Sequence, residues 1–131
     1  MRAFIAHSFA HSQQQKDVLH DVINTLKVNG IEGFSFALSY PPYPQGSERR
    51  MMQDACMELG KSDLLIAEVS HKEIGIGIEI GYAKAKNIPI IYMRDEGAEY
   101  SKTVGGVATE EVVYRNGQVA DVLAPILAKL V

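Results

Sequence analysis

A single cysteine, Cys56, among 131 residues leaves no internal disulfide and no thiolate zinc cluster to build with. Tryptophan is absent. Positive charge is not in excess, with 13 Lys and Arg against 16 Asp and Glu and a formal net charge of -3. That balance argues against a nucleic-acid backbone or an anionic membrane as the main partner. No apolar run approaches the ~18 residues of a membrane span. The opening Met1-Arg2-Ala3-Phe4-Ile5-Ala6 turns polar too soon for a secretory leader. The expectation is a cytoplasmic protein. What the chain does have is a 47% apolar, 22% charged composition, close to the globular average, and enough length for one domain over residues 1–131 with its own core.

Strand-like and helix-like segments alternate along the chain. Arg2 to His7 reads as a buried strand. Ser12-Gln-Gln-Gln15 has the form of a capping box, and Val18, Leu19, Val22, Ile23 and Leu26 follow at helical spacing until Asn29-Gly30 stops them. Glu32 to Leu38 reads as a second strand. Pro41, Pro42, Pro44 and Gly46 form a segment that cannot be regular. Ser47 caps a predicted helix over 48–60. Leu64 to Val69 is apolar enough to be buried on both faces, as central parallel strands are. A helix is expected over 77–87, ended by Pro89, then a strand over 88–93, a glycine-rich loop, a strand over 112–114 and a last helix interrupted by Pro125. The pattern predicts an α/β domain with a mostly parallel sheet of about five strands flanked by helices, Rossmann-like or flavodoxin-like. Ligands in such sheets bind at the carboxyl ends of the strands, which selects the loops 7–12, 38–47, 70–77 and 94–106.

The chemistry concentrates in Ser62-Asp63-Leu-Leu-Ile-Ala-Glu68-Val-Ser70 and in Gly75-Ile-Gly77-Ile-Glu79-Ile-Gly81-Tyr82-Ala83. Gly75 and Gly77 let a ligand come close to the backbone, and free amides there favour an anion. Glu79 is expected in the first helical turn, where the macrodipole favours its ionised form and so suits a nucleophile. Two other readings compete. Gly75, Gly77 and Gly81 imitate a dinucleotide fingerprint, with Asp95 about 20 residues on, although the third glycine is one place late. The glycines are equally explained by close helix packing, with Glu79 complementing the dipole. Asp63 opens its strand, which puts it at the wrong end of a parallel sheet for a strand-end site.

These two segments resemble the nucleoside 2-deoxyribosyltransferase family, which includes the 2'-deoxynucleoside 5'-monophosphate N-hydrolases. The likeness runs through the Pro89 strand to Ser101-Lys-Thr-Val-Gly105, which is similar to the serine loop of the hydrolases. It is clear over 62–106 and weak elsewhere. The resemblance implies that Glu79 attacks C1' of the sugar and forms a covalent glycosyl-enzyme, with Asp63 assisting. It implies hydrolysis or base exchange at the N-glycosidic bond of a nucleoside or nucleoside monophosphate, with no cofactor and no metal. It also implies a homodimer or higher homo-oligomer in which the Ser101 loop reaches a neighbour's site. His7, Ser8, Glu73, Gly75 and Gly77 are the further substrate-binding candidates.

Two departures stand out. Glu73 occupies the place where phosphate-binding hydrolases have serine, and transferases have an acidic residue there, near the base. Ala10 stands nearest the place of an arginine used for phosphate. Because the Ser101 loop is the longer match, the sequence reading favours the monophosphate. Phe4-Ile-Ala-His7-Ser8 also resembles the opening of TIR-type domains, some of which bind or cleave NAD, and a non-catalytic nucleotide-binding module is a third reading. Among the remaining residues, His7 and His11 make a weak metal pair, and Cys56 reads as core. Tyr40 and Tyr43 either stack on a base or pack their loop. Asp54 and Glu58 read as a solvated helix face.

Overall fold

The computed structural model describes residues 1–130. Five parallel strands form one sheet in the order β2-β1-β3-β4-β5. They are β1 (Arg2–Ala6), β2 (Glu32–Phe34), β3 (Leu64–Glu68), β4 (Ile90–Asp95) and β5 (Glu110–Tyr114). Six helices connect and follow them: α1 (Lys16–Val28), α2 (Phe36–Ser39), α3 (Glu48–Gly60), α4 (Ile74–Ala85), α5 (Lys102–Val107) and α6 (Val119–Leu130). The expected α/β architecture is the observed one. No helix among the described residues is long and apolar enough to cross a membrane.

Alternation within the strands divides the core. Ala3, Ile5, Leu64, Ile66, Ile91 and Met93 face one layer, where they meet Leu19, Val22 and Leu26 of α1 and Val119, Leu123 and Leu127 of α6. Phe4, Ala6, Leu65, Ala67, Ile90 and Tyr92 face the other, against Leu59 of α3, Ile76, Ile80 and Ala83 of α4, and Val104 of α5. All five residues of β3 are buried, as a strand covered by helices on both sides requires. In register, Phe4 sits beside Leu65 and Ala6 beside Ala67.

The chain leaves β1 toward β2 on one side and returns past it to β3 on the other. The order therefore reverses at β1, and a crevice opens above its carboxyl end.

Five local readings differ from the structure. Glu32 to Leu38 is not one strand: Ser35 accepts a hydrogen bond from the Leu38 amide at 3.2 Å and starts α2, a side-chain cap that the apolar pattern hid. The glycine-rich loop contains α5, capped in the same way by Ser101, which accepts from the Val104 amide at 3.2 Å. A Cβ at Gly105 in that helix would overlap the Tyr100 phenol and push that exposed ring aside. The capping box at Ser12 does not form; residues 10–15 are turn, and the Gln15 amide is drawn into the core, where it donates to Glu68 at 3.0 Å. α4 starts at Ile74, three residues before Gly77. Finally, the last helix runs unbroken from Val119 to Leu130 with Pro125 inside it, not interrupted there.

Candidate active site

At the crevice above β1 lies a cavity of about 240 Å³. Its floor is Ala6 and His7 at the end of β1, and one wall is Glu73, Gly75, Ile76 and Glu79 of α4 and its cap. Phe36, Tyr40 and Tyr43 build a facing aromatic wall, closed by Met51, Met52 and Ala55 of α3. The Phe36 and Tyr40 rings are 4.4 Å apart, and Tyr40 and Tyr43 stack at 6.4 Å. The prolines explain this wall: Pro41, Pro42 and Pro44 forbid both helix and strand, so the segment folds over and presents its tyrosines.

Glu79 occupies the second turn of α4, not the first as expected, so the macrodipole, which fades within one turn, does little for it. No described residue hydrogen-bonds its carboxylate. Burial against the apolar lining instead pushes its pKa from 4.5 up to about 7, because an ion loses hydration there without gaining a partner. The result is a carboxyl group poised near neutrality and aimed into a cavity. That is a place where chemistry is plausible on physical grounds alone.

Around the floor a second set of groups is tied together. His7 is buried, with Nδ1 3.2 Å from the Ser8 carbonyl and Nε2 2.7 Å from the Ser35 hydroxyl. The carbonyl can only accept, so Nδ1 carries the hydrogen and Nε2 accepts from Ser35. Burial lowers the His7 pKa, which keeps the ring neutral. Both ring nitrogens are thereby used, and no group of potential metal ligands occurs among the described residues. Ser8 is fully buried behind this wall and donates its hydroxyl to Glu73. The same oxygen accepts from the His11 amide at 3.1 Å and lies 2.9 Å from His11 Nδ1. His11 Nδ1 is also 3.7 Å from Glu73, and its ring stacks on His71 at 3.7 Å.

The structure thus brings together Glu79, Glu73, His7, Gly75 and, one layer back, Ser8. Gly77 is exposed on the outer side of α4. Apart from the backbone of α4 itself, no described atom lies within 4 Å of a Cβ placed at Gly75, Gly77 or Gly81, so packing within the chain does not call for those glycines. Two candidates lie elsewhere. Asp63 is exposed at the amino end of β3, where it accepts from the Arg2 amide at 2.8 Å; a parallel sheet separates it from the cavity by the length of a strand. Ser101 caps α5 and does not line the cavity.

Sequence reasoning passes over three features. Asp54 was read as a solvated helix face, yet it accepts from the Tyr43 hydroxyl at 2.6 Å at the cavity rim; tyrosine beside proline, with a carboxylate ahead on the next helix, was the available signal. Glu68 is buried at the end of β3 and takes hydrogen bonds from Gln15, the Ser70 amide and hydroxyl, and Tyr114. Ser70 in turn accepts from the Asp95 amide at 2.8 Å. This network fixes the loop leading to α4 and ties it to β4 and β5. Glu58, also read as solvated, is buried and paired with Arg2 at 3.4 Å and Lys61 at 2.9 Å.

Comparison with known proteins places the chain in a family and among similar folds. The sequence model of the nucleoside 2-deoxyribosyltransferase family matches residues 3–122. A curated relative, a putative 2'-deoxynucleoside 5'-phosphate N-hydrolase of Syntrophotalea carbinolica, is 56% identical over 39 residues, which span 30% of this chain and 28% of that protein. The fold is similar to that of the CMP N-glycosidase of Clostridium botulinum, with a TM-score of 0.67 at 22% identity over 98% of this chain and 99% of that one. It is also similar to a 2-deoxyribosyltransferase of Bacillus psychrosaccharolyticus, with a TM-score of 0.71 at 12% identity over 88% and 86%. A conserved protein of Enterococcus faecalis V583 superposes with a TM-score of 0.77 at 14% identity over 100% and 99%.

Proposed function

This chain belongs to the nucleoside 2-deoxyribosyltransferase family, and from that premise we propose that it cleaves the N-glycosidic bond of a nucleoside or nucleoside 5'-monophosphate through a glycosyl ester on Glu79. The observation that carries the proposal is the Glu79 carboxyl, unpartnered in an apolar cavity and held near neutrality.

In the first step a Glu79 oxygen bonds to C1' as the C1'–N bond breaks. The base leaves with that electron pair and takes up one proton. In the second step water, or a second base, attacks C1' from the vacated side, gives up a proton to solvent as it bonds, and releases the carboxylate, so configuration is retained. Hydrolase and base-exchanging transferase differ only in which nucleophile arrives second. Positive charge developing at C1' meets a carboxylate that no described residue hydrogen-bonds, in a mostly apolar cavity where such stabilisation is stronger than in water. The Tyr40 and Tyr43 rings offer the flat apolar surface that a base stacks on.

The working unit is proposed to be a cytoplasmic homodimer at least, in which Ser101 completes a neighbour's cavity. The exposed side of α4 supports a partner: Ile74 and Ile78, 85% and 50% exposed, lie on the same face as Gly77 and Gly81, four residues apart on a helix.

The test is incubation with a panel of 2'-deoxynucleosides, their ribose counterparts, their monophosphates and NAD, following released base or nicotinamide. Base release that Glu79→Gln abolishes supports the reading. A 2-fluoro-2-deoxyribosyl substrate is expected to leave a covalent adduct on Glu79. Release of nicotinamide alone would favour an NAD-cleaving domain, and retention of more than a few percent of activity in Glu79→Gln would remove the nucleophile assignment.

A further inference from the structure

We propose that the cavity takes the unphosphorylated nucleoside and that Glu73 is the residue that turns away the 5'-monophosphate. This rests on the reading of the cavity as an N-glycosidic site, and it reverses the preference for the monophosphate drawn from the Ser101 loop.

The lining contains two carboxyl groups, Glu73 and Glu79, and among the described residues its one nitrogen-bearing side chain is His7. No lysine or arginine lines it among the described residues. Burial lowers the His7 pKa, and its Nδ1 hydrogen is committed to the Ser8 carbonyl, so it offers a phosphate neither charge nor a free donor. Two nearby cations have carboxylates beside them. Arg50 lies 3.9 Å from Asp54 at the rim, and Lys72, next to Glu73 in sequence, is 2.9 Å from Glu99.

The donors of the β1 loop are engaged too. Ser8 gives its hydroxyl hydrogen to Glu73. His11 directs Nδ1 toward that same Ser8 oxygen and toward Glu73. The Glu73 carboxylate thus already occupies, as an intramolecular anion, the side-chain donors of the β1 loop, Ser8 and His11. Both contacts fall on Oε2 of Glu73, and Oε1 has no partner among the described residues. A free acceptor on a cavity wall selects a ligand that brings a hydrogen. A sugar hydroxyl donates one; an ionised phosphate has only acceptors and negative charge to present to it.

The experiment compares kcat/KM for a 2'-deoxynucleoside and its own 5'-monophosphate, in the wild type and in Glu73→Gln and Glu73→Ser. The wild type is expected to favour the nucleoside at least tenfold. Either substitution is expected to move the ratio at least tenfold toward the monophosphate, more at low ionic strength than at high, because the repulsion is screened by salt. A wild type that favours the monophosphate overturns the proposal, and so does a ratio that neither variant moves. If no base is released from any compound, the N-glycosidic reading fails separately. Calorimetric binding to the Glu79→Gln protein then decides this one. Nucleoside bound at least tenfold more tightly than monophosphate supports it; equal or tighter monophosphate binding, or no nucleoside binding, overturns it.

Discussion

Tyr43 and Asp54 are joined by a 2.6 Å hydrogen bond that ties the proline-rich segment to α3 at the rim of the cavity. The bond fixes where the aromatic wall stands, and two substitutions separate that role from a chemical one. Tyr43→Phe keeps the ring and loses the tie, so KM is expected to rise several-fold with kcat nearly kept. Asp54→Asn keeps an acceptor for Tyr43. A large fall in kcat for Asp54→Asn, without a matching effect of Tyr43→Phe, would show instead that the carboxylate itself takes part in the reaction.

The pH profile follows from the sign of the Glu79 shift. A nucleophile must be ionised, and burial raises the Glu79 pKa to about 7. The kcat/KM of the free enzyme is therefore expected to climb about tenfold per pH unit below 7 and to level off above it. A profile that instead falls through pH 7 would mean that the protonated form works, making Glu79 the general acid.

The same shift makes Glu79 a cost to the fold at high pH. Its folded pKa lies above the unfolded value of 4.5, so the unfolded chain releases the proton first. Stability attributable to the neutral form is complete below pH 4.5 and is lost as pH rises to about 7. About 2.5 units correspond to about 3 kcal/mol. Glu79→Gln does not titrate; its unfolding free energy is expected to match the wild type near pH 4 and to exceed it by a few kcal/mol at pH 8. Denaturant titrations at the two pH values check this, and an equal gap at both would mean that the carboxyl is not desolvated.

The centre of the sheet could be read in the sequence because β1, β3 and β4 are buried over most of their length and hence nearly all apolar, as in Leu64 to Ala67. Short elements were not legible. α2 and α5 each span little more than a turn, and their starts depend on one serine hydroxyl, Ser35 or Ser101, set among residues that also suit strand or loop. At the site, Glu79, Gly75 and Glu73 were found because one contiguous segment carries them. Asp54 and Tyr43 escaped because their pairing depends on how far the proline segment folds back, which no periodicity encodes. The Glu79 environment was misjudged for a related reason: three residues' difference in where α4 starts moves the side chain out of reach of the helix dipole and leaves burial in control.

Glu68 is predicted to be structural. Four donors converge on its buried carboxylate. Glu68→Ala strands all of them, and an unsatisfied buried donor costs about 1–3 kcal/mol. A loss of several kcal/mol is expected, large against the roughly 5–15 kcal/mol of a typical domain. Glu68→Gln restores two acceptor sites but turns an amide toward a donor, so it is expected to be intermediate. A Glu68→Ala protein that melts with the wild type would show that water replaces the carboxylate at no cost.

The last prediction concerns Ser101, whose backbone is fixed by the bond from its amide to Tyr92 at 2.9 Å and whose hydroxyl caps α5. It does not line the cavity of its own subunit, so a part in catalysis requires a neighbour. Ser101→Ala removes both the cap and any contact across the interface. Loss of the cap alone is worth about 1 kcal/mol and can be measured by unfolding. An activity loss far beyond what that local loosening produces is expected if the loop completes another site. Ser101→Ala and Glu79→Gln subunits, mixed and allowed to exchange, then regain activity, since a mixed dimer contains one cavity with both an intact Glu79 and a partner's intact Ser101. Random exchange puts half of the dimers in the mixed form, each with one working site, so recovery to about a quarter of wild-type activity is the expected ceiling for a dimer. Exchange demonstrated by mass spectrometry without any recovery would mean that Ser101 serves only α5. Rescue of Ser101→Ala by Ser101→Thr, which keeps a capping hydroxyl but adds a methyl group, separates the two roles further: a capped but inactive protein points to the interface.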